Sequence, residues 1–300
     1  MDRGATTIAS RTSNKTEYLY HGIIMRDPAR PPRLFGLFGD PVCHSLSPVM
    51  QNSAFAHAEY NAVYLPFKVR DIKKGVSAIR TLGIAGASVT MPHKSSITDL
   101  LDELDESAKK IGAANTVVNR DGALCGYNTD ISGAANALSE KILINGKSAA
   151  VIGAGGAAAA IAFGMILKGA EVAIASRSSQ KGERLASRLG ADFLPLADIK
   201  NHRFDIVANA TPIGMTPGDG AMPIPKSVLK KGMTIMDAVY NPRETALIKA
   251  AGNMGCSVVD GAAMFVFQGA AQFELWTGLK APVGVMKKAV LKALSKNGGV

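Results

Sequence analysis

The stretch that decides the fold is Val151-Ile152-Gly153-Ala154-Gly155-Gly156-Ala157-Ala158-Ala159-Ala160. The apolar run from Ala149 to Ile152 predicts a buried strand, and the small residues from Gly156 to about Leu167 predict a helix that Gly169 stops. Gly153 permits a tight turn, Gly155 removes a side chain where a diphosphate approaches the backbone, and Ala158 lets helix and strand pack closely. The free N–H groups of such a helix start, with the positive end of its dipole, face an anion.

An ordinary strand-to-helix turn accounts for these glycines equally well, so the surroundings must decide. The spacing fits G-x-G-x-x-A, and a second strand, Glu171 to Ser176, ends roughly 20 residues on, where a dinucleotide-binding unit contacts the ribose. That position holds Ser176-Arg177-Ser178, with Lys181 close behind. An acid there would bind the free 2′-hydroxyl of NAD. A guanidinium and hydroxyls suit the 2′-phosphate of NADP, because Arg forks onto phosphate oxygens. Arg177 also reads as a solvated residue at a helix start, but its charge then opposes the dipole. The pattern favours NADP over NAD.

Working outward, 300 residues with 47% hydrophobic content can bury a large core and suggest about two domains, and 19% charged content excludes a disordered chain. The net charge of +10 permits nucleic acid, anionic lipid or acidic metabolites as partners. The basic residues form no dense run and no aromatic-interleaved patch, so no nucleic-acid partner is expected. No apolar run approaches the roughly 20 residues of a membrane span, so no membrane partner is expected either. Cys43, Cys125 and Cys256 are odd in number and far apart, which points to a reducing compartment, and the five histidines show no metal-ligand spacing, so no metal is expected.

Residues 1–32 are polar, contain no apolar signal core and close on Pro28, Pro31 and Pro32, which reads as a flexible leader. From Leu34 the pattern is βαβα. Leu34–Phe38 is a strand, and Ser47 is the expected N-cap of a helix with Pro48 in its first turn. Ala62–Phe67 is a strand, Asp71–Leu82 a helix, Gly86–Thr90 a strand and Asp99–Ile111 an acidic helix. Asn115–Asn119 and a strand ending at Tyr127 flank the hairpin signal Asp121-Gly122. A helix runs from Asn128 to about Ile142. Beyond the glycine-rich unit come a helix closed by Gly190, strands Asp205–Asn209 and Met233–Ala238, a helix to about Asn253, a strand Cys256–Val259 and two final helices.

A reversible hydride transfer between NADP and an alcohol/ketone pair requires a side chain that exchanges the hydroxyl proton, and Lys or Asp serves if held close. Lys94 and Asp130 qualify, although unaided they read first as a surface lysine and a helix cap. His44 and His93 read as loop histidines. Ser45, Ser47, Thr90 and Asn115 fit a polyhydroxylated ligand and equally fit turns and caps.

Several motifs in one order break this tie: Gly39-Asp40-Pro41, His44-Ser45-Leu46-Ser47-Pro48, Ser88-Val89-Thr90-Met91-Pro92-His93-Lys94, Gly112-Ala113-Ala114-Asn115-Thr116 and Gly126-Tyr127-Asn128-Thr129-Asp130. They continue with Gly153–Ala157, Asn209-Ala210-Thr211-Pro212-Ile213-Gly214-Met215, Asp237-Ala238-Val239-Tyr240-Asn241-Pro242 and the run from Asp260 to Gln268. From Leu34 to the C-terminus the chain resembles the shikimate dehydrogenase family. The resemblance implies an α/β protein of two domains: an N-terminal α/β substrate domain over 33–130, completed by helices in 262–300, and a doubly wound Rossmann-like NADP domain over 131–261. It implies NADPH-dependent, reversible reduction of 3-dehydroshikimate to shikimate in chorismate and aromatic amino-acid biosynthesis, in the cytoplasm, by a monomer or homodimer. By the same resemblance Lys94 and Asp130 form the catalytic pair, each offsetting the other's burial. Ser45 and Ser47 hold the substrate carboxylate, and Thr90, Asn115, Tyr240 and Gln268 complete the pocket. Gly153, Ala154, Gly155, Gly156, Ala157, Ser176, Arg177, Ser178, Lys181, Ala238 and Gly261 contact the cofactor, with Glu106 at its periphery. Ser88 stands where many members carry Asn, and Ile131 where a small residue often follows the aspartate. These departures leave room for a quinate/shikimate dehydrogenase using NAD. A catalytically silent NADP-binding sensor on the same scaffold is a further alternative, and the presence of both Lys94 and Asp130 argues against it.

Overall fold

Two six-stranded sheets, one in each half of the chain, carry the architecture of the computed structural model, which describes residues 18–20, 23–25, 31–216, 218 and 220–297. Tyr18–Tyr20 (β1) and Ile23–Met25 (β2) pair antiparallel, a pairing the leader reading lacked. The remainder of that expected leader, apart from Pro31 and Pro32, lies outside the described residues.

The first large sheet centres on Arg33–Gly39 (β3), which leads through a loop into the helix Ser47–His57 (α1). Ala62–Lys68 (β4), the helix Ile72–Thr81 (α2) and Gly86–Val89 (β5) follow. β4 and β5 both lie parallel to β3. Next come Glu103–Leu104 (β6), the helix Glu106–Ile111 (α3), Thr116–Arg120 (β7) and Ala123–Tyr127 (β8). β7 runs antiparallel to both β5 and β8, so the sheet, in the order β4-β3-β5-β7-β8-β6, is mixed. The Asp121-Gly122 turn forms with both residues at positive φ, as a tight hairpin requires.

Two expectations are corrected in this half. Ser47 is the first helical residue rather than the N-cap: Leu46 takes that position, and the backbone N–H of Ser47 donates to Ser45 Oγ at 3.2 Å. The acidic helix expected over Asp99–Ile111 is divided into a short 3-10 turn, β6 and α3. Its acids are engaged as local acceptors: Asp102 takes the Leu124 N–H at 2.7 Å and the Arg80 guanidinium, and Asp105 caps α3 at Ser107 N.

The second half opens with the helix Thr129–Ser139 (α4), then Ser148–Ile152 (β9), the helix Gly156–Leu167 (α5), Glu171–Ser176 (β10) and the helix Ser179–Leu189 (α6). It continues with Asp192–Pro195 (β11), Ile206–Asn209 (β12), Thr234–Asp237 (β13), the helix Ala246–Asn253 (α7) and Ser257–Val259 (β14). The sheet is parallel throughout, in the order β11-β10-β9-β12-β13-β14. Counted within the sheet this is 3-2-1-4-5-6, the doubly wound arrangement whose direction of progression reverses between its first and fourth strands. The apolar run of β9 is explained by burial on both faces. Ala149 and Val151 enter one core cluster with α4 and α5, while Ala150 and Ile152 enter the opposite one with Ile235 and Leu247. β11, a four-residue edge strand containing Pro195, was not expected from sequence.

The chain then returns through Gly261–Thr277 (α8) and Val283–Asn297 (α9), which join α1 in a core against the first sheet that contains Phe35, Phe55, Phe273 and Trp276. α4 binds the two halves together. A Cβ at Gly133 would stand 2.8 Å from Gln268 Cβ and 3.0 Å from Met264 O on α8, and one at Gly164 of α5 would stand 2.6 Å from Ile131 O. Backbone approaches this close leave no space for a side chain. Gly133→Val is therefore expected to destabilise the protein by about 1–3 kcal/mol through overpacking. Urea unfolding measures this, and an unchanged midpoint would contradict the close helix crossing.

Candidate active site

The loop after β5 and the start of α4 bring Lys94 and Asp130, 36 residues apart in sequence, into contact, with Lys94 Nζ donating to Asp130 Oδ2 at 2.6 Å. Asp130 is free for this pairing because Asn128, not Asp130, caps α4. Asn128 Oδ1 accepts the Asp130 N–H, and its Nδ2 donates to Ala113 O. Lys94 is anchored by its own carbonyl, which accepts the Ala114 N–H at 2.8 Å. The pair is only partly solvated, at 25% and 10% side-chain exposure, so little water competes for the contact. His93 turns away: it is buried, with Nε2 at 2.7 Å from Val69 O. His44 is exposed.

Lys94 and Asp130 face a cavity of about 200 Å³ between the two halves. All six residues expected to hold substrate, Ser45, Ser47, Thr90, Asn115, Tyr240 and Gln268, line this same cavity, and Ala157, Ala238 and Gly261 close it from the dinucleotide side. Ser45 Oγ donates to Ser47 Oγ at 3.2 Å, placing both hydroxyls at the amino end of α1. The Tyr240 ring stacks on Phe265 with centroids 4.9 Å apart, and burial pushes its phenol pKa up. Sequence reasoning placed Ser88 in the pocket only as a departure from the family's Asn, and it did not include Phe265 or Gln272 among the lining residues. Two of these had a signal: Ser88 lies two residues before Thr90 and Gln272 one helical turn after Gln268, the spacings that share a face.

A second depression, of about 250 Å³, lies over the amino end of α5. Ala154, Gly155, Gly156 and Lys181 line it together with Ser95, Arg184 and Arg188. The fit to a dinucleotide phosphate rests on three features here. Gly153 has φ +118°, a Cβ at Gly155 or Gly156 would meet nothing, and no side chain caps α5, so its first N–H groups are open to an anion. Ser176 is buried at the end of β10, its Oγ accepting from Ser178 N, and Ser178 caps α6, while Arg177 is exposed between them. Glu106, expected at the cofactor's edge, lines neither cavity. Its carboxylate is 87% exposed in the first turn of α3 and pairs with Lys109 at 2.7 Å, a position the helix dipole favours.

Two of the sequence motifs act as clamps. Asp237, buried at the end of β13, accepts from Asn209 Nδ2 at 2.9 Å, Val239 N at 3.0 Å and Thr245 Oγ1 at 2.6 Å, which fixes the loop that carries Ala238 and Tyr240. Burial raises the Asp237 pKa, and these three hydrogen bonds work against that rise. With the folded value above the unfolded one, the stability this group contributes is present at low pH and lost as pH rises through the folded value. Relative to Asp237→Asn, which does not titrate, the unsubstituted protein is expected to lose stability as pH rises above the ordinary carboxylate value of about 4. Urea midpoints across that range measure the difference, and a flat difference would contradict it.

A doubly wound sheet with an open glycine-rich turn, facing a polar cleft shared with a second α/β unit, defines a two-lobed protein of the dinucleotide-dependent class. Family models agree. Residues 37–117 match the shikimate dehydrogenase substrate binding domain, 136–215 match shikimate/quinate 5-dehydrogenase, and 261–291 match the shikimate 5′-dehydrogenase C-terminal domain. A shikimate dehydrogenase (NADP+) of Geobacillus kaustophilus is 43% identical over 274 residues, covering 88% of this chain and 99% of that protein. A crystal structure of a shikimate dehydrogenase in complex with NADP+ superposes with a TM-score of 0.84 at 39% identity, covering 88% of this chain and 96% of the other. The Thermus thermophilus shikimate 5-dehydrogenase in complex with NADP(H) and shikimate gives 0.82 at 32% identity, covering 87% and 100%. The chain belongs to the shikimate dehydrogenase family.

Proposed function

We propose that this protein is an NADP-dependent shikimate dehydrogenase, reducing 3-dehydroshikimate to shikimate and running in reverse, within chorismate and aromatic amino-acid biosynthesis. The observation that carries this reading is the 2.6 Å contact of Lys94 Nζ with Asp130 Oδ2 in a cavity lined by hydroxyl and amide groups. The substrate lobe spans 33–130 completed by 262–300, and the cofactor lobe spans 131–261. One chain lines the whole cleft, so either a monomer or a homodimer suffices. Three free cysteines suit a cytoplasmic setting.

When bound, the dinucleotide supplies the reducing equivalent to the ring carbonyl carbon. The protein's part is to deliver a proton to the carbonyl oxygen and to hold the ring in place. Lys94 Nζ gives that proton in reduction and takes it back in oxidation. Asp130 aims the ammonium and balances its charge. Ser45 and Ser47, at the amino end of α1, hold the substrate carboxylate with the helix dipole behind them. Thr90, Asn115, Tyr240 and Gln268 bind the ring hydroxyls. Around the phosphates, Gly153, whose own N–H donates to Ala175 O, shapes the turn, the open N–H groups from Ala154 to Ala157 receive the diphosphate, and Ser176, Arg177, Ser178 and Lys181 receive the 2′-phosphate. Ala238 and Gly261 form the wall against the nicotinamide end.

The test follows NADPH absorbance at neutral pH with 3-dehydroshikimate, then shikimate and quinate with NADP and NAD. Turnover of shikimate with NADP is expected. No turnover with any of these substrates would favour the silent sensor, and equal or better turnover of quinate with NAD would favour the quinate reading.

A further inference from the structure

The end of α3 is pinned at three points, and one of them comes from the other half of the chain. Ile111, the last residue of α3, is buried in the core cluster that also holds Leu185, Ala186 and Leu189 of α6. Such apolar contacts keep α3 near α6 but have no direction, so they leave its orientation loose. The directional contact is Arg188 in the last turn of α6, whose Nη1 donates to Ile111 O at 2.9 Å. That carbonyl lies at the C-terminal end of α3, where a cation meets the negative end of the helix dipole. Gly112 follows at φ +67°, and a Cβ there would stand 2.7 Å from Arg188 Nη1, so the bare glycine leaves the guanidinium its place. Next along the chain, Ala113 O accepts from Asn128 Nδ2 at 2.9 Å, and the Ala114 N–H donates to Lys94 O at 2.8 Å. Asn128 also takes the Asp130 N–H on its Oδ1. Residues 111–114 therefore join α6 to the backbone of Lys94 and, through Asn128, to that of Asp130. Arg188 has a second side as well. It lines the depression over α5 with Lys181 and Arg184, at spacings that put all three on one face of α6. A guanidinium carries five N–H groups, and the bond to Ile111 O leaves the others for an anion in that depression.

We propose that Arg188 is a positioning residue that ties the depression over α5 to the Lys94–Asp130 pair. A phosphate seated in the depression holds its guanidinium, the guanidinium holds the end of α3, and residues 111–114 hold Lys94 against Asp130. Occupation of one site is thereby felt at the other without any contact between the two ligands. The inference rests on the proposed function, which reads the depression as the phosphate end of the dinucleotide site and Lys94 as the proton donor.

The probe is 2′,5′-ADP, which carries the phosphate end of NADP and lacks the nicotinamide that would reach the cavity between the lobes. Calorimetry of shikimate binding with and without saturating 2′,5′-ADP reads the coupling. The unsubstituted protein is expected to bind shikimate ~5–10-fold more tightly when 2′,5′-ADP is present, the lower end of coupling between distinct sites. Arg188→Met keeps the length and the apolar stem and should bring that factor close to one. Arg184→Met removes a cation from the same face that makes no bond to α3 among the described residues. It should weaken 2′,5′-ADP binding and leave the factor intact. In turnover, Arg188→Met is expected to lower kcat by ~3–10-fold, the scale of one hydrogen bond, and to have no further effect in the Lys94→Ala background. A merely structural role for the arginine would lower both backgrounds alike. Melting temperatures confirm that each variant is folded. Shikimate affinity indifferent to 2′,5′-ADP in the unsubstituted protein, coupling that survives Arg188→Met, an equal loss of coupling in Arg184→Met, or a kcat effect that persists without Lys94 would each overturn the proposal. If the unsubstituted protein binds neither 2′,5′-ADP nor shikimate, the functional reading fails and this inference fails with it.

Discussion

Lys94→Ala is expected to lower kcat for shikimate oxidation by ~10²–10⁴-fold, the usual contribution of a positioned proton-transfer group. NADP binding should persist, because Lys94 lines the cavity between the lobes and not the depression over α5. Asp130→Asn keeps the shape but removes the charge that faces Nζ at 2.6 Å, so it should also lower kcat. The two changes act on one proton path, and the double variant should be little worse than Lys94→Ala alone. Stopped-flow turnover together with a cofactor titration separates chemistry from binding. Near-normal kcat in Lys94→Ala would remove the lysine from the proton path, and multiplicative losses in the double variant would mean that the two side chains work independently.

Arg177→Ala should raise KM for NADP by ~10–100-fold and leave KM for NAD almost unchanged, since a charged hydrogen bond to phosphate contributes about 1.5–3 kcal/mol. The exposed position of Arg177 makes it available to a 2′-phosphate at the end of β10, while Ser178 is already engaged as the α6 cap. Screening should weaken the preference as ionic strength rises. Parallel losses with both cofactors would mean that Arg177 supports the loop and not the phosphate. No loss with either would move the 2′-phosphate contact to Lys181 or Arg184 in the depression over α5.

Much of the architecture was legible because local signals agreed with burial. The run Ala149–Ile152 is buried on both faces, and Gly190, the expected stop of that helix, ends α6 at positive φ. The acids of 99–111 misled because their spacing suits an exposed helix, whereas Asp102 and Asp105 are committed to backbone N–H groups far and near in sequence. β11 went unseen because four residues ending in Pro195 carry no alternation, and their strand state depends on the neighbouring β10. Ser47 looked like a cap, but Ser45 supplies the acceptor two residues earlier. The site divides the same way. The glycine-rich turn announces itself by spacing, but Lys94 and Asp130 read locally as a surface lysine and a cap. Only the family resemblance joined them before the structure showed Asn128 taking over the cap. Arg188 had no local signal of partnership with Ile111, since a pairing across 77 residues leaves no trace in a window of sequence.

The most direct test of the account is a crystal structure of the protein with shikimate and NADP+. It should place one ring hydroxyl oxygen within hydrogen-bond reach of both Lys94 Nζ and Asp130, beside the nicotinamide, with the carboxylate at Ser45 and Ser47. A ligand carboxylate seated on Lys94 instead, or a ring lying outside the cavity between the lobes, would contradict it.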